Sequence, residues 1–271
     1  MKVIGDCNDL QNDLDKIYDW SIRWQMEFNS GRCKKTEFGK SSKRCMNNHK
    51  LGHLLIKPEE KDLGVIFSED LSPGKQINKI IGETFQILKN IRIAFAFLNE
   101  DMMRKIITSM ICLRLEYAAI IWSLHELEHI RKLERIQRAA MKMIPELQDQ
   151  SYKERLATLQ LPTLEKRQER GDMIALYRLV NGMEQLDRED LLVFSERDTR
   201  GHGRKLRSTT CRRDVKKFSF PHRSIKLWNG LEDKVVVVVC ANNIQSFKKR
   251  YMKVVMKMGQ YVHSASPVRH N

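Results

Sequence analysis

Apolar residues recur at helical spacing along most of this chain, interrupted near the N-terminus by three short strand-like runs. From Asn8 to Phe28, the residues Leu10, Leu14, Ile17, Ser21, Trp24 and Phe28 fall on one helical face. Asp9, Asp13 and Asp15 sit in its early turns, where the helix dipole favours acids, Asp6 and Asp9 read as helix N-terminal acids, and Asn29-Ser30-Gly31 should end it. The runs Lys34–Phe38, Leu51–Ile56 and Leu63–Phe67 then read as a small antiparallel set of strands between polar or Pro-containing loops. Three strands that short do not close a sheet alone.

Ser72 and Pro73 form an N-cap and first-turn pair, after which Ile77, Ile80, Ile81, Thr84, Leu88, Ile91, Phe95 and Leu98 keep helical spacing as far as Asn99. A second helix is expected from Glu100 to Trp122, with Met103, Ile106, Ile107, Met110, Tyr117, Ala118 and Ile121 inward. The stretch from Leu115 to Ile144 ends in a helix with two opposed faces. At about 100° per residue, Ile130, Leu133, Ile136, Ala140, Met143 and Ile144 fall on one side, and Arg131, Arg135, Arg138 and Lys142 on the other. Pro145 stops that helix, Ser151 with Glu154 forms a capping box for the next, and Pro162 ends it. A run from Thr163 to Val180 is closed by Asn181-Gly182. The fold class is therefore mostly α: a small antiparallel β element within residues 1–70, an all-α bundle over 71–185, and a partly irregular region over 186–271 in which Ile225, Leu227, Trp228 and Leu231 are the candidate anchors.

Charge separates that last region from the rest. The net charge is +15, and thirteen of the surplus positive charges lie in the last 81 residues. Such asymmetry points to an anionic partner, nucleic acid above all. The 4-3-4 spacing of Arg131, Arg135, Arg138 and Lys142 stacks them one turn apart, an arrangement able to follow a phosphate backbone. The C-terminal region adds Arg204, Lys205, Arg207, Arg212, Arg213, Lys216 and Lys217, with Phe218 and Phe220 as candidate stacking rings.

Other chemistry finds little support. Six cysteines are scattered without a CxxC, so reduced thiols are expected. Cys33, Cys45, His49 and His53 resemble a zinc set only loosely, because the first gap is unlike a short Cys knuckle. No GxxxxGK[ST], HExxH or GxSxG motif occurs. No apolar run approaches the length of a membrane span and no signal peptide opens the chain, so a nuclear or cytoplasmic protein that uses no membrane is expected. Val235 to Val239 is an unbroken β-branched run of the kind that aggregates when exposed. No small-molecule substrate is suggested.

Several segments carry a resemblance. Leu115, Glu116, Tyr117, Ala118 and Trp122 make an LEYAxxxW element, and Leu133, Glu134, Ile136, Gln137, Arg138, Ala139 and Ala140 make LExIQRAA. Together with WSIRWQMEFNSGRCKKTEFGK, EKDLGVIFSEDL, ERLATLQLPTLEKRQERGDMIALYRLVNG, DTRGHGRKL and FSFPHRSIKLWNGL, they resemble the C-terminal part of LINE-class, jockey-like non-LTR retrotransposon reverse transcriptases. The likeness covers roughly residues 2 to 250. It implies a palm end with a primer-grip hairpin at Leu63 and Gly64 in 1–70, a thumb-like bundle in 71–185, a basic C-terminal region beyond, and template-primer RNA and DNA as partners.

The departures matter as much. Polymerases of this family hold two Mg²⁺ ions on clustered aspartates, and this chain contains no Asp-Asp pair. Arg32 stands where the resemblance implies a general-acid Lys, and a guanidinium is a poor proton donor. Cys112 and Leu113 replace the family's Arg-Pro, removing a bend. No catalytic residue and no cofactor is therefore assigned to this chain. The leading expectation is a catalytically inactive remnant that keeps nucleic-acid binding. The alternatives are part of an active enzyme whose aspartates lie elsewhere and a non-enzymatic helical interaction protein.

Overall fold

The computed structural model describes residues 5–29, 33–35, 38, 55–56, 59–122, 127–185, 191–195, 204–208, 210–211, 214–231 and 243–264. It is mostly helical, and the chain divides into two compact units, residues 1–79 and 80–271.

In the first unit, α1 (Gly5–Arg23) ends five residues before Phe28. Gln25 turns into the left-handed region (φ 54°), and Met26 N–H donates to the Ser21 carbonyl (2.9 Å) while Gln25 N–H donates to Ile22 (3.1 Å). This is a Schellman closure with glutamine where glycine is usual, so nothing in the sequence marks it. Ser21 is buried on the expected face, but Leu10, Ile17 and Trp24 are exposed.

The strands also differ from expectation. Among the described residues of the first two runs, β1 (Lys34–Lys35) and β2 (Leu55–Ile56) pair in parallel. The antiparallel pair is β3 (Glu59–Asp62) with β4 (Val65–Ser68). Leu63 and Gly64 are not strand residues: their φ values of 44° and 87° make the two-residue turn between β3 and β4. Positive φ at both turn positions matches the strand twist, and Gly64 takes it without a Cβ. α2 (Gly74–Ala94) starts just after Pro73, and its first turns hold the hairpin: Gln76 Oε1 accepts from Ile66 N–H (2.9 Å), and Lys79 Nζ donates to the Gly64 carbonyl (2.8 Å).

In the second unit α2 buries Ile80, Thr84, Leu88 and Ile91, as its spacing predicts, but stops at Ala94. Asn99 caps α3 (Glu100–Ile106), its side chain accepting from Met102 N–H at 2.8 Å. The single helix expected to run to Trp122 is interrupted. Ile107–Ile111 forms a π turn, in which Cys112 N–H reaches the Ile107 carbonyl, and α4 (Cys112–Glu116) follows. A π turn inserts one extra residue into the helical count. The buried face therefore advances by one position, to Ile111, Cys112 and Leu115, and leaves Met110 exposed; Tyr117 and Ile121 are exposed beyond the end of α4. Ala118 (φ 53°) ends the element early, and Trp122 tucks back to donate to the Tyr117 carbonyl at 2.9 Å.

α5 (Leu127–Met141), a 3-10 turn (Pro145–Leu147), α6 (Tyr152–Thr158) and α7 (Leu164–Val180) follow as the punctuation predicts. The capping box is present in full, with Ser151 N–H to Glu154 Oε2 at 2.7 Å and Glu154 N–H to Ser151 Oγ at 3.3 Å. Gly182 (φ 64°) closes α7, and Met183 N–H donates to the Arg178 carbonyl. α6 closes in the same way on Gln160 (φ 51°), where Leu161 N–H donates to the Leu156 carbonyl. Because a Cβ is unfavourable in that conformation, Gln160→Gly is expected to stabilise the protein by about 1 kcal/mol, seen as a higher urea midpoint at unchanged slope. A lower midpoint would show that the glutamine side chain is worth more than the strain.

Helices continue beyond residue 186. α8 (Asp214–Lys217), α9 (Phe220–Asn229) and α10 (Ile244–Ser264) are described there. Met173, Leu176, Tyr177 and Val180 of α7 share one core cluster with Ile225 and Trp228 of α9, Phe247 and Tyr251 of α10, and Leu192, Leu206 and Leu231. Three of the four expected anchors are buried; Leu227 is exposed. Among the described residues no helix is long and apolar enough to cross a membrane.

Candidate nucleic-acid interface

α5 keeps its two faces. Leu133, Ile136, Ala140, Met141 and Ile144 are buried, while Arg131, Arg135, Arg138 and Lys142 are all exposed. Ile130 and Met143, expected inside, are half-buried. The sequence reading missed the polar residues that share the inner face. Glu134 is buried and its Oε1 accepts from Leu164 N–H (2.7 Å) and Glu165 N–H (3.3 Å), which satisfies the first turn of α7. Its other oxygen accepts from the Tyr152 hydroxyl. Burial, reinforced by that bond, pushes the Tyr152 pKa far up, so the phenol stays a donor at any physiological pH. Gln137 Nε2 donates to the Pro162 carbonyl at 3.0 Å.

The outer row is only partly free. The Arg138 guanidinium lies 4.6 Å from the Tyr152 ring centroid, and that of Arg135 lies 6.0 Å from the Phe85 centroid. Among the described residues, Arg131 and Lys142 have no side-chain partner, and the acids three residues to either side of Arg131, Glu128 and Glu134, are engaged by Lys132 (2.6 Å) and by Tyr152 with the first turn of α7.

The C-terminal cations are scattered by comparison. Residues 204–207 are tied into the core: Trp228 Nε1 donates to the Arg204 carbonyl (2.9 Å), Arg207 N–H donates to Val193 (2.7 Å), and Asn229 brackets buried Leu206 with bonds of 2.9 and 2.6 Å. The Arg204 guanidinium donates to Asn181 Oδ1 at 2.7 Å; Arg207 is exposed and Lys205 half-buried. Lys216 and Lys217 are exposed on α8, with Lys217 Nζ 5.0 Å from the Phe218 centroid. Phe220 packs at the edge of the core and carries Arg223 over its ring (5.7 Å), so neither phenylalanine stands free to stack on a base. Arg212 and Arg213 lie outside the described residues, as do Arg32, Cys45, His49, His53 and Val235–Val239.

Leu63 and Gly64 form the tip of the hairpin in the first unit, with Leu63 83% exposed. Among the described residues no group of three or more His, Cys, Asp or Glu is placed to hold a metal ion. Burial pushes the Cys112 thiol up to about 11, which suits packing and not nucleophilic chemistry.

Two further ion pairs, also missed from sequence, join distant elements. Arg167 of α7 grips Glu116 through Nε and Nη2, the latter at 3.2 Å. Arg223 of α9 grips Asp172 of α7 at 2.7 and 2.8 Å and also donates to the carbonyls of Ala119, Ile120 and Phe218, each at 3.2 Å. Only the arginine and acid types in the sequence could have hinted at these pairs, since partners 51 residues apart leave no local pattern. No family model, curated protein or solved structure matches this chain.

Proposed function

We propose that this chain binds RNA and DNA through their phosphates, as a non-catalytic C-terminal part of a LINE-class reverse transcriptase comprising palm end, primer grip, thumb and basic C-terminal region. The observation that carries the binding is the exposed row Arg131, Arg135, Arg138 and Lys142 on the face of α5 opposite its core stripe. Such a row gives affinity without sequence choice. The motifs quoted above carry the family reading; they assign no carboxylates for metal-ion catalysis.

Salt dependence tests the proposal. Each phosphate contact adds about 0.7 to the log-log slope on single strands and about 0.9 on duplex. Changing Arg131, Arg135 and Arg138 to Glu is expected to flatten the slope by about 2 on single strands and about 3 on duplex, and to weaken all sequences alike. Lys216 and Lys217 to Glu should be measured beside it. Cutting the chain near residue 190 would be a poor control, because it removes Trp228 and Phe247 from the core. If both variants bind a labelled RNA–DNA duplex like the parent at ~0.15 M salt, where weak surface electrostatics are screened, nucleic-acid binding through these cations is wrong. A second reading, a helical interaction protein, is favoured by exposed Leu10, Ile17 and Trp20 on α1 and Trp24 just after it, and requires that unchanged result.

A further inference from the structure

The ring beneath Arg135 belongs to a different helix, α2, and that helix carries cations of its own. Lys89 and Arg92 follow Phe85 at i+4 and i+7, which places all three on one side of α2, one and two turns apart. Both are exposed and, among the described residues, neither has a side-chain partner. Between Thr84 and Ala94 the helix has no acid, and Glu83, just before, is engaged by Arg114 at 3.3 Å. The adjoining side of α2, about a third of a turn around the helix, is accounted for by Ile80, Thr84, Leu88 and Ile91 in the core.

Phe85 is half-buried and Tyr152 is held by its hydroxyl on Glu134. A planar guanidinium resting on a fixed ring keeps one face and its outer N–H edge for an anion, and loses less freedom on binding than an unsupported side chain. A hydroxyl that donates to a carboxylate also leaves the Tyr152 ring richer in electrons, which favours the cation above it.

We propose that the phosphate-binding face spans two helices, with Lys89 and Arg92 of α2 contacting nucleic-acid phosphates alongside the α5 row and Phe85 and Tyr152 serving as platforms that position Arg135 and Arg138. This rests on the nucleic-acid reading of α5 and extends it to residues outside that helix.

The test uses the full chain and a labelled RNA–DNA duplex. Lys89→Glu with Arg92→Glu is compared with the same charge change on α10, Lys249→Glu with Lys253→Glu, both sites exposed. Loss of two contacts lowers the duplex salt slope by about 1.8 relative to that control. For the platforms, Arg135→Lys keeps the charge but loses the plane, and is expected to weaken binding about threefold in the parent and not at all in a Phe85→Leu background. If the α5 triple reversal abolishes the salt slope while the α2 variant matches the α10 control, the two-helix face is wrong and the α5 reading survives. If the α5 reversal changes nothing, both fall. Equal effects of Arg135→Lys in the two backgrounds overturn the platform role of Phe85.

Discussion

Replacing Phe247 with alanine is expected to destabilise the protein by about 3–5 kcal/mol, the usual range for emptying a fully buried phenyl site. Phe247 has no exposed surface and is the middle of an aromatic stack. Its ring lies 4.3 Å from Tyr177 at 17°, 5.9 Å from Tyr251 at 16° and 6.4 Å from Trp228 at 36°. Through this ring α10 meets Tyr177 of α7 and Trp228 of α9. Since a whole domain is stable by only about 5–15 kcal/mol, the variant should show a sharply lower urea midpoint and early loss of hydrogen-exchange protection in α10. Phe247→Leu, which keeps most of the volume, should lose less than half as much. A loss under about 1 kcal/mol in the alanine variant would mean that α10 is not docked as described.

Arg223→Ala is expected to cost a similar amount, about 3–5 kcal/mol, for a different reason. Asp172 and Arg223 are 12% and 17% exposed, so removing the guanidinium strands a desolvated carboxylate and releases the carbonyls of Ala119, Ile120 and Phe218. Arg223→Lys should recover little, because one ammonium cannot serve both carboxylate oxygens and three carbonyls. The pH dependence has a definite sign. Burial already pushes the Asp172 carboxyl above its ordinary value against the pull of the guanidinium, and without Arg223 it rises further. A group raised in the folded state stabilises that state at low pH and loses this contribution as pH climbs through the folded value. The Arg223→Ala defect should thus be smallest near the ordinary aspartate pKa, about 3.9, and grow toward neutrality. A defect independent of pH would show that the carboxylate is not the stranded group, and addition of Asp172→Asn should then rescue nothing.

What the sequence made legible follows from how local each signal is. The opposed faces of α5, the capping box at Ser151 and the closure at Gly182 each depend on residues within two turns, and each is found where the spacing put it. The end of α1 was hidden because glutamine occupies the left-handed position of its Schellman closure. A π turn leaves composition and apolar content unchanged, so a constant period carried past Ile107 assigns Met110 to the wrong side, and the early end of α4 takes Tyr117 out of the helix altogether. α10 was unread because its anchoring residues, Phe247 and Tyr251, are few and its partners lie on α7 and α9. For the candidate site, exposure of Arg131, Arg135, Arg138 and Lys142 was legible from their 4-3-4 spacing, whereas the rings under two of them come from other helices. Glu116, Glu134 and Asp172 look like surface acids in sequence, yet each is spent on another element. Many residues that carry the family resemblance are these inter-helix ties, so the motifs speak chiefly to architecture.

The order in which the pieces of the α7 core become available has a consequence for synthesis. Met173, Leu176, Tyr177 and Val180 are complete early, but the rings that cover them come from Trp228 and Phe247. Translation proceeds at ~5–20 residues per second, so the roughly seventy residues between Val180 and Phe247 take about 3 to 13 s to make. Until Phe247 is made the apolar stripe on this finished helix is incompletely covered, which is the feature chaperones bind and on which neighbouring chains on a polysome can associate. A ribosome stalled before codon 247 holds the stripe open indefinitely, and the released product is a substrate for quality control.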